Sequence, residues 1–357
     1  MSTRARESAV ATIAAVRNEL GKVKLADLPT PVHRHRIEVD GRRTEIHVKR
    51  DDLTGDVYGG NKLRKLEYLL QRVRRRDHRL VGTFGTAASN HALATAICCR
   101  RLGLPCICFL SHQRVTPTAG RVLNMHAKLG TQLVPFGGEY AERLRILREH
   151  LWNRQAGVIP PGGSSWIGTV GYVEAAVELA TQVAEGALPE PHRVYVATGT
   201  MGTAAGLALG FTLAGLGTEV HAIRVSHTWL CNEVALARLL GKTAAMLHRA
   251  VPAFPENLDD AVRLRLRHEF FAGGYAATDD ATEEAIRLAR DQLGLALEGT
   301  YTGKAMAALV ADLRAGEAPA HVLFWNTCNG RVLPVPARAP LPGASFPEAF
   351  QRYFPAA

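Results

Sequence analysis

The sequence predicts an α/β protein of two lobes, built on open parallel sheet covered by helices on both faces. Three observations carry that expectation. The chain has 357 residues, beyond the usual size of one hydrophobic core, so two lobes are the natural division. Short β-branched runs alternate with longer amphipathic stretches, the pattern of parallel strands joined by crossover helices. Polar motifs follow the predicted strands, where the loops of such sheets gather their ligand sites.

The elements follow in order. The leading stretch "MSTRARESAVATIAAVRNELGKV" has a helical apolar stripe broken by Arg6, Glu7, Arg17, Asn18 and Glu19. An amphipathic helix is expected there, not a secretory signal. "TEIHVKRDD" (44–52) reads as a strand, and the glycine turn of "VYGGNKLRKLEYLL" (57–70) then opens a helix at Lys62. Leu63, Leu66, Leu69 and Leu70 give that helix its apolar face. "RLVGTFG" (79–85) is strand then turn, "SNHALATAICCRRLGL" (89–104) a helix, and "PCICFLS" (105–111) and "TQLVPFG" (131–137) strands flanking the helix of "AGRVLNMHAKLG". "GYVEAAVELATQVAE" (171–185) is an amphipathic helix, and "HRVYVATGTMGTAAGLALGFTLAG" (192–215) a strand, glycine-rich turn and helix. "EVHAIRVS" (219–226) is a strand, "DATEEAIRLARDQLG" (280–294) a helix, and "HVLFWNTCNGR" (321–331) a last strand entering a polar turn. The proline-rich tail after Leu333 is expected to wrap the surface.

Composition narrows the function classes. Hydrophobic residues make up 47% of the chain, far from a disordered composition. No apolar run reaches membrane-spanning length, so no membrane partner is expected. The net charge of +10 is densest in "QRVRRRDHR" (71–79), at the end of the Lys62 helix. Late positive charge suits a helix dipole. Without a nucleic-acid motif or interleaved aromatics, nucleic acid is not an expected partner. Cys98, Cys99, Cys106, Cys108, Cys231 and Cys328 form no zinc-type spacing, so reduced buried thiols, no metal and a cytoplasmic location are expected.

Three motifs carry chemistry. In "ATGTMGTAAG" (197–206) the glycines let backbone amides converge on an anion, while Thr200 and Thr203 add hydroxyls at a helix start. It is neither a Walker A loop nor a dinucleotide fingerprint, and a ligand-free glycine turn is the alternative. Ser89, Asn90 and His91 open a helix after a strand. Ser89 is an N-cap type, and the three together would also grip a carboxylate. Lys62 sits where the helix dipole disfavours a cation. Lowered in pKa by burial or nearby cations it is an amine nucleophile toward carbonyls; otherwise it is a phosphate contact. A phosphorylated aldehyde cofactor such as pyridoxal phosphate would join Lys62 to the 199–203 loop.

"KRDDLTGDVYGGNKLRKLEYLL" (49–70) closely resembles the lysine segment of the D-cysteine desulfhydrase and 1-aminocyclopropane-1-carboxylate (ACC) deaminase family. "LADLPTP", "SNH", "PPGGSSWIGTVGYVEAA", "GYAATDDATEEAIRLA" and "YTGKAMAAL" are similar to further landmarks of that family, and the resemblance spans roughly residues 24–330. It implies the two-domain, tryptophan-synthase β-like (fold type II) architecture, with residues 1–64 plus 178–357 as a large cofactor domain. Residues 65–177 would be a small domain, with the active site in the cleft. It also implies pyridoxal 5′-phosphate as cofactor, a small amino acid as substrate, and a homodimer.

Residue by residue, the resemblance implies that Lys62 holds the cofactor covalently and moves the α-proton. Lys65, Gly199, Thr200, Met201, Gly202 and Thr203 would hold the phosphate, and Asn90 the phenolic oxygen. Ser89, Asn90 and His91 would bind the substrate carboxylate, with Ser89 joining proton transfer. Tyr275, Tyr301 and Thr327 would line the substrate site, Tyr301 among the catalytic groups. Thr302 matches the position facing the pyridine nitrogen, where the deaminases carry glutamate in "YEGK". A hydroxyl leaves that nitrogen largely neutral, which suffices when the β-substituent is a good leaving group.

The expected reaction is therefore α,β-elimination from a β-substituted amino acid, D-cysteine giving pyruvate, ammonia and sulfide. ACC deamination, L-cysteate desulfonation and biosynthetic β-replacement are the alternatives within the class. Outside it the alternatives are a non-catalytic phosphate- or nucleotide-binding protein and nucleic-acid binding by the basic helix 62–79. The sequence departs from the family at "NTCN" (326–329) for "HTGG", at "EGTYTGK" for "DPVYTGK", and at Ala88 for glutamine; the arginine often following "SNH" is missing. Cys328 reads as either pocket lining or a small buried residue. Gly59 and Gly60 are expected to give the backbone room beside the cofactor ring.

Overall fold

The computed structural model describes residues 3–354 apart from Asn153, Asn257, Asp259 and Asp260. The chain opens with α1 (Thr3–Leu20), β1 (Val32–Val39), β2 (Arg42–Lys49) and α2 (Lys62–Arg75). It continues through β3 (Leu80–Thr86), α3 (Asn90–Arg101), β4 (Cys106–Ser111), α4 (Pro117–Leu129), β5 (Gln132–Pro135), α5 (Tyr140–Leu151) and β6 (Ala156–Ile159). Next come α6 (Trp166–Ala184), β7 (Arg193–Thr198), α7 (Gly202–Ala214), β8 (Glu219–Arg224), α8 (Glu233–Ala250) and β9 (Leu264–Arg267). The series ends with α9 (Asp280–Leu293), α10 (Thr302–Ala315), β10 (Val322–Trp325) and α11 (Glu348–Gln351). Two compact units result: Met1–Tyr68 with Ser164–Gly330, and Leu69–Gly163 with Arg331–Ala357.

The first unit holds a sheet of order β1-β2-β10-β7-β8-β9. Its pairs are parallel except β1–β2. That exception departs from a wholly parallel expectation, and its cause is the Asp40–Gly41 turn. Both residues have positive φ (49° and 76°), as a two-residue hairpin of matching twist requires. Strand periodicity then builds a core on each face. In β10, Leu323 and Trp325 join one core, with Val173, Leu207 and Phe211; Val322 and Phe324 join the other, with Ile46, Tyr195, Met306 and Leu309. The leading helix α1 buries Ala9, Ile13 and Val16 in the first of these cores, and Arg17 pairs with Glu174.

The second unit has a parallel sheet of order β5-β4-β3-β6. The tail runs over the surface as expected, and fixed contacts tie it down. Asn124 donates to Pro336 O (3.0 Å) and Ala339 O (2.8 Å) and accepts from Leu341 N (2.9 Å). Phe350 and Tyr353 then enter the core beside Ala92, Cys108 and Leu123. Asparagine on buried α4 gives the tail backbone the partners that prolines remove within it.

In the first unit, β2, β10 and β7 are neighbours running the same way. Their carboxyl ends deliver the approach to Lys62, residues 326–329 and residues 199–203 to one edge of the sheet, the place where open parallel sheets bind ligands. The glycines before Lys62 serve this convergence through backbone packing. A Cβ on Gly59 would lie 1.9 Å from Asp52 O, and one on Gly60 (φ 94°) 2.8 Å from Thr327 O. Gly60 N donates to Asp51 O (2.7 Å), and Asn61 N to Thr327 O (3.1 Å). The room they make is for the neighbouring loops.

Candidate active site

Lys62 is the first residue of α2, and Lys65 lies one turn on. The Asn61 side-chain amide donates to Thr203 Oγ1 (3.0 Å), pinning the start of α2 to the start of α7. Lys65 Nζ donates to Ser164 Oγ (3.2 Å). Ser164 Oγ is 2.7 Å from Thr200 Oγ1 and accepts from Gly202 N (3.2 Å). Met201 takes a left-handed φ of 63° ahead of α7, a conformation that costs about 1–2 kcal/mol outside glycine and turns successive amides toward one side. A Cβ on Gly202 would lie 2.7 Å from Ser164 Oγ and 3.1 Å from Lys65 Nζ. A larger residue there would have to push aside the Ser164 hydroxyl and the Lys65 amine.

Desolvation lowers Lys62 to about 8. Desolvation, then the charge of Lys62, hold Lys65 well below the ordinary lysine range. Two amines sit together in a place that disfavours protonation, and an anion there would reverse the effect.

The start of α10 is organised by Glu298. Its carboxylate accepts from the backbone N–H of Thr300 (2.8 Å), Tyr301 (2.8 Å) and Thr302 (2.9 Å), satisfying donors that a helix N-terminus leaves open. The departure "EGTYTGK" is thus a capping feature. Thr302 is fully buried; its hydroxyl accepts from Glu298 N (3.2 Å) and reaches the same carboxylate at 3.4 Å. Tyr301 and Tyr275 meet hydroxyl to hydroxyl at 2.5 Å. Desolvation, then Tyr275, push the Tyr301 phenol well above its usual range, so it is a neutral hydrogen-bonding group.

The "NTCN" loop locks into its surroundings. Asn326 N donates to Lys49 O (3.0 Å), and Asn329 Oδ1 accepts from Gly59 N (2.7 Å). Thr327 is buried, with its carbonyl on Asn61. The Cys328 thiol donates to Asn326 Oδ1 (3.2 Å) and Ala296 O (3.5 Å). Burial, with Glu298 and Asp52 adding, pushes it up to about 12. Cys328 is thus a buried, neutral thiol.

In the second unit, Ser89 is the N-cap of α3, its Oγ accepting from Ala92 N (3.2 Å). Asn90 begins the helix, and His91 Nε2 lies 3.1 Å from Thr83 Oγ1. Thr83 gives its proton to Ile159 O (3.2 Å), so the imidazole is the donor in this pair and carries its hydrogen on Nε2.

Comparison with known proteins places these features. Residues 23–327 match the family described as "Pyridoxal-phosphate dependent enzyme". The chain belongs to this pyridoxal-phosphate-dependent enzyme family. It is 33% identical over 298 residues to the D-cysteine desulfhydrase of Salmonella choleraesuis, covering 81% of this chain and 87% of that protein. It is 34% identical over 293 residues to a Pyrococcus horikoshii protein that bears a provisional 1-aminocyclopropane-1-carboxylate deaminase name, covering 79% and 84%. A solved ACC deaminase homologue superposes with a TM-score of 0.75 at 30% identity, covering 89% of this chain and 95% of that one. This pyridoxal-phosphate enzyme therefore has the fold type II architecture and belongs to the ACC deaminase and D-cysteine desulfhydrase group.

The first unit fits the cofactor. Lys65, Ser164, Thr200, the Gly202 amide and Thr203 form a close cradle of donors in which desolvation, then Lys62, disfavours the charge on Lys65. They would hold the phosphate, and Lys62 would hold the aldehyde. Ser164 is the member that the sequence reading of this pyridoxal-phosphate enzyme missed: within "PPGGSSW" it looks like turn chemistry, and the loop that uses it lies 38 positions further on. Ser164→Ala is expected to weaken cofactor binding roughly tenfold, the size of one hydrogen bond to a charged group. Titrating cofactor-free protein by absorbance checks it; an unchanged dissociation constant would remove Ser164 from the cradle. Among the described residues no cluster suited to a metal ion occurs, and no helix is long and apolar enough to cross a membrane.

Proposed function

We propose that the protein is a lyase that eliminates the β-substituent from a small amino acid, with D-cysteine as the favoured substrate and pyruvate, ammonia and hydrogen sulfide as products. The observation that carries this reading is the pair Thr302 and Glu298. The residue matched to the pyridine nitrogen is a hydroxyl, and the nearest carboxylate is held by three backbone amides. Opening a cyclopropane calls for the strongest electron withdrawal, and a carboxylate is not offered at this position; expelling sulfide calls for less.

Bound there, pyridoxal phosphate would supply an electron sink for charge developing at the substrate α-carbon. Lys62 Nζ would take the α-proton; its lowered pKa keeps a base available near neutral pH. The Tyr275–Tyr301 hydroxyl pair would donate to the departing sulfur. Ser89, Asn90 and His91 would bind the carboxylate, as the first turn of a helix favours an anion, and the Thr83 bond fixes the His91 ring. Asn90 would also meet the phenolic oxygen, and Thr327 the substrate side chain. We extend the proposal to a cytoplasmic homodimer; the six free thiols suit a reducing compartment.

The test is a product assay on cofactor-loaded protein given D-cysteine, L-cysteate or ACC. Pyruvate with sulfide from D-cysteine is expected, and 2-oxobutyrate from ACC would overturn the threonine argument. Thr302→Glu is expected to lower elimination at least about tenfold, through loss of roughly 1.4 kcal/mol of transition-state stabilisation. Unchanged elimination would show that residue 302 does not face the pyridine nitrogen.

A further inference from the structure

The end of the chain returns to the start of α3. The family match stops at residue 327, and the tail from Arg331 onward belongs to the second unit. Around α11 it carries Phe350 and Tyr353 into the core that also holds Ala87 and Ala92, which lie to either side of Ser89, Asn90 and His91. Tyr353 is buried, and its hydroxyl serves one residue. It accepts from Gln113 N (2.9 Å) and donates to Gln113 O (3.1 Å), so both backbone polar groups of Gln113 rest on one side chain. Gln113 itself is half-buried in the loop between β4 and α4, with exposed neighbours His112 and Arg114.

The Gln113 side chain then reaches the turn ahead of α3. Residues 86–89 form a turn closed by Ser89 N donating to Thr86 O (2.9 Å). A turn of this kind bonds the amide of its fourth residue and leaves that of its third to other partners. The third residue is Ala88, and its N–H donates to Gln113 Oε1 (3.1 Å). Alongside, Ala87 N donates to Ser111 O (3.0 Å), and Ser89 Oγ accepts from Ala92 N (3.2 Å) to cap the helix. One path of hydrogen bonds thus runs from Tyr353 through Gln113 to Ala88, next to the cap.

We propose that Gln113 and Tyr353 are positioning residues of the substrate carboxylate site, so that the tail is a working part of that site. The inference rests on the reading of Ser89, Asn90 and His91 as the carboxylate-binding start of α3. An anion at a helix start is held by amides and hydroxyls whose directions the preceding turn sets. The Tyr353 hydroxyl fixes Gln113, the Gln113 carboxamide fixes the Ala88 amide, and the turn holds Ser89 in the cap. The link acts on recognition of the carboxylate and not on the cofactor cradle, whose residues all lie in the first unit. Phe350 and the Asn124 bonds anchor the tail as well, so Tyr353→Phe removes the link while keeping the packing.

The test compares glycine with methylamine on cofactor-loaded protein, each titrated by the change in cofactor absorbance. The two ligands share the amine and differ by the carboxylate, and neither has a group to eliminate. In Tyr353→Phe and in Gln113→Ala the dissociation constant of glycine is expected to rise roughly fivefold, the size of one lost neutral hydrogen bond, while methylamine binds as before. The double variant is expected to lose no more than Gln113→Ala alone, because the tyrosine acts through the glutamine. A glycine constant unchanged in both variants, equal weakening of glycine and methylamine, or losses that add in the double variant overturns this proposal alone. A natural chain that binds methylamine as tightly as glycine overturns it together with the carboxylate reading of Ser89–His91. Gln113→Ala changes only a half-buried loop side chain, so it decides even where Tyr353→Phe fails to fold.

Discussion

Lys62→Ala is expected to lower turnover by about 10³-fold, within the range of a lost proton-transfer group, and to abolish the borohydride-fixed attachment of cofactor to the chain. Retained cofactor with no covalent link, read by intact mass, separates loss of the amine from loss of the cradle, since Lys65, Ser164 and Gly202 remain. The pH dependence is equally specific. Desolvation lowers Lys62 to about 8, and the helix N-terminus acts in the same direction. At pH 7.5 about a quarter of Lys62 is neutral, against about 0.1% for a lysine of ordinary pKa. The reactive fraction rises with pH and levels off above 8. Capture of pyridoxal, which lacks the phosphate that would perturb the site, should follow that curve in cofactor-free protein. A capture rate still climbing toward pH 10 would mean that Lys62 is an ordinary lysine and that the base argument fails.

The parts of this site legible in the sequence are those whose signal is local. Lys62 stands out against the helix dipole, and "TGTMGT" marks a tight glycine turn at a helix start within six residues. The hairpin signal Asp40–Gly41 is equally local, but β1, "VHRHRIEV", has an exposed, charged face that does not read as a strand. α8 likewise has a clear cap in Asn232, whose side chain accepts from Ala235 N. What sequence reasoning could not reach depends on distant partners. Ser164 gains its role from Gly202, and Glu298 looked like a departure until its carboxylate was seen on three amides. Asn329 is a family substitution whose use, the Gly59 amide, lies 270 residues away. The burial of the charges in "KRDDL" is equally non-local: Lys49 and Asp51 are fully buried.

Asp51→Ala is expected to destabilise the protein by about 3–5 kcal/mol, the cost of removing one member of a buried ion pair. Its carboxylate accepts from Thr30 Oγ1 (2.9 Å), Arg64 Nε (3.1 Å) and Nη2 (2.8 Å), Tyr172 OH (2.6 Å) and Trp325 Nε1 (2.8 Å). Without it, a buried phenol and a buried indole lose their acceptor, at about 1–3 kcal/mol each where no other partner moves in. Arg64 would keep only Glu178 as a carboxylate partner, at 2.9 and 3.0 Å. Burial alone would lower the Arg64 pKa; Asp51 and Glu178 outweigh it, and the net shift is upward. Glu178 shows the other side of the balance: burial raises it, Arg64 and then Lys49 lower it, and it ends at about 2 instead of 4.5. A carboxylate lowered in the folded state stabilises fully above its unfolded pKa, so this contribution holds above pH 4.5 and fades as pH falls toward 2. Arg64 lies between Lys62 and Lys65, so loosening it should weaken cofactor binding as well. Denaturant unfolding at pH 7 reads the stability change. Asp51→Leu combined with Arg64→Met is expected to recover part of the loss, because removing both charges leaves neither unpaired. A single variant within about 1 kcal/mol of the natural chain, or a double variant as poor as the two losses added, would show that the network does not hold α2 in place.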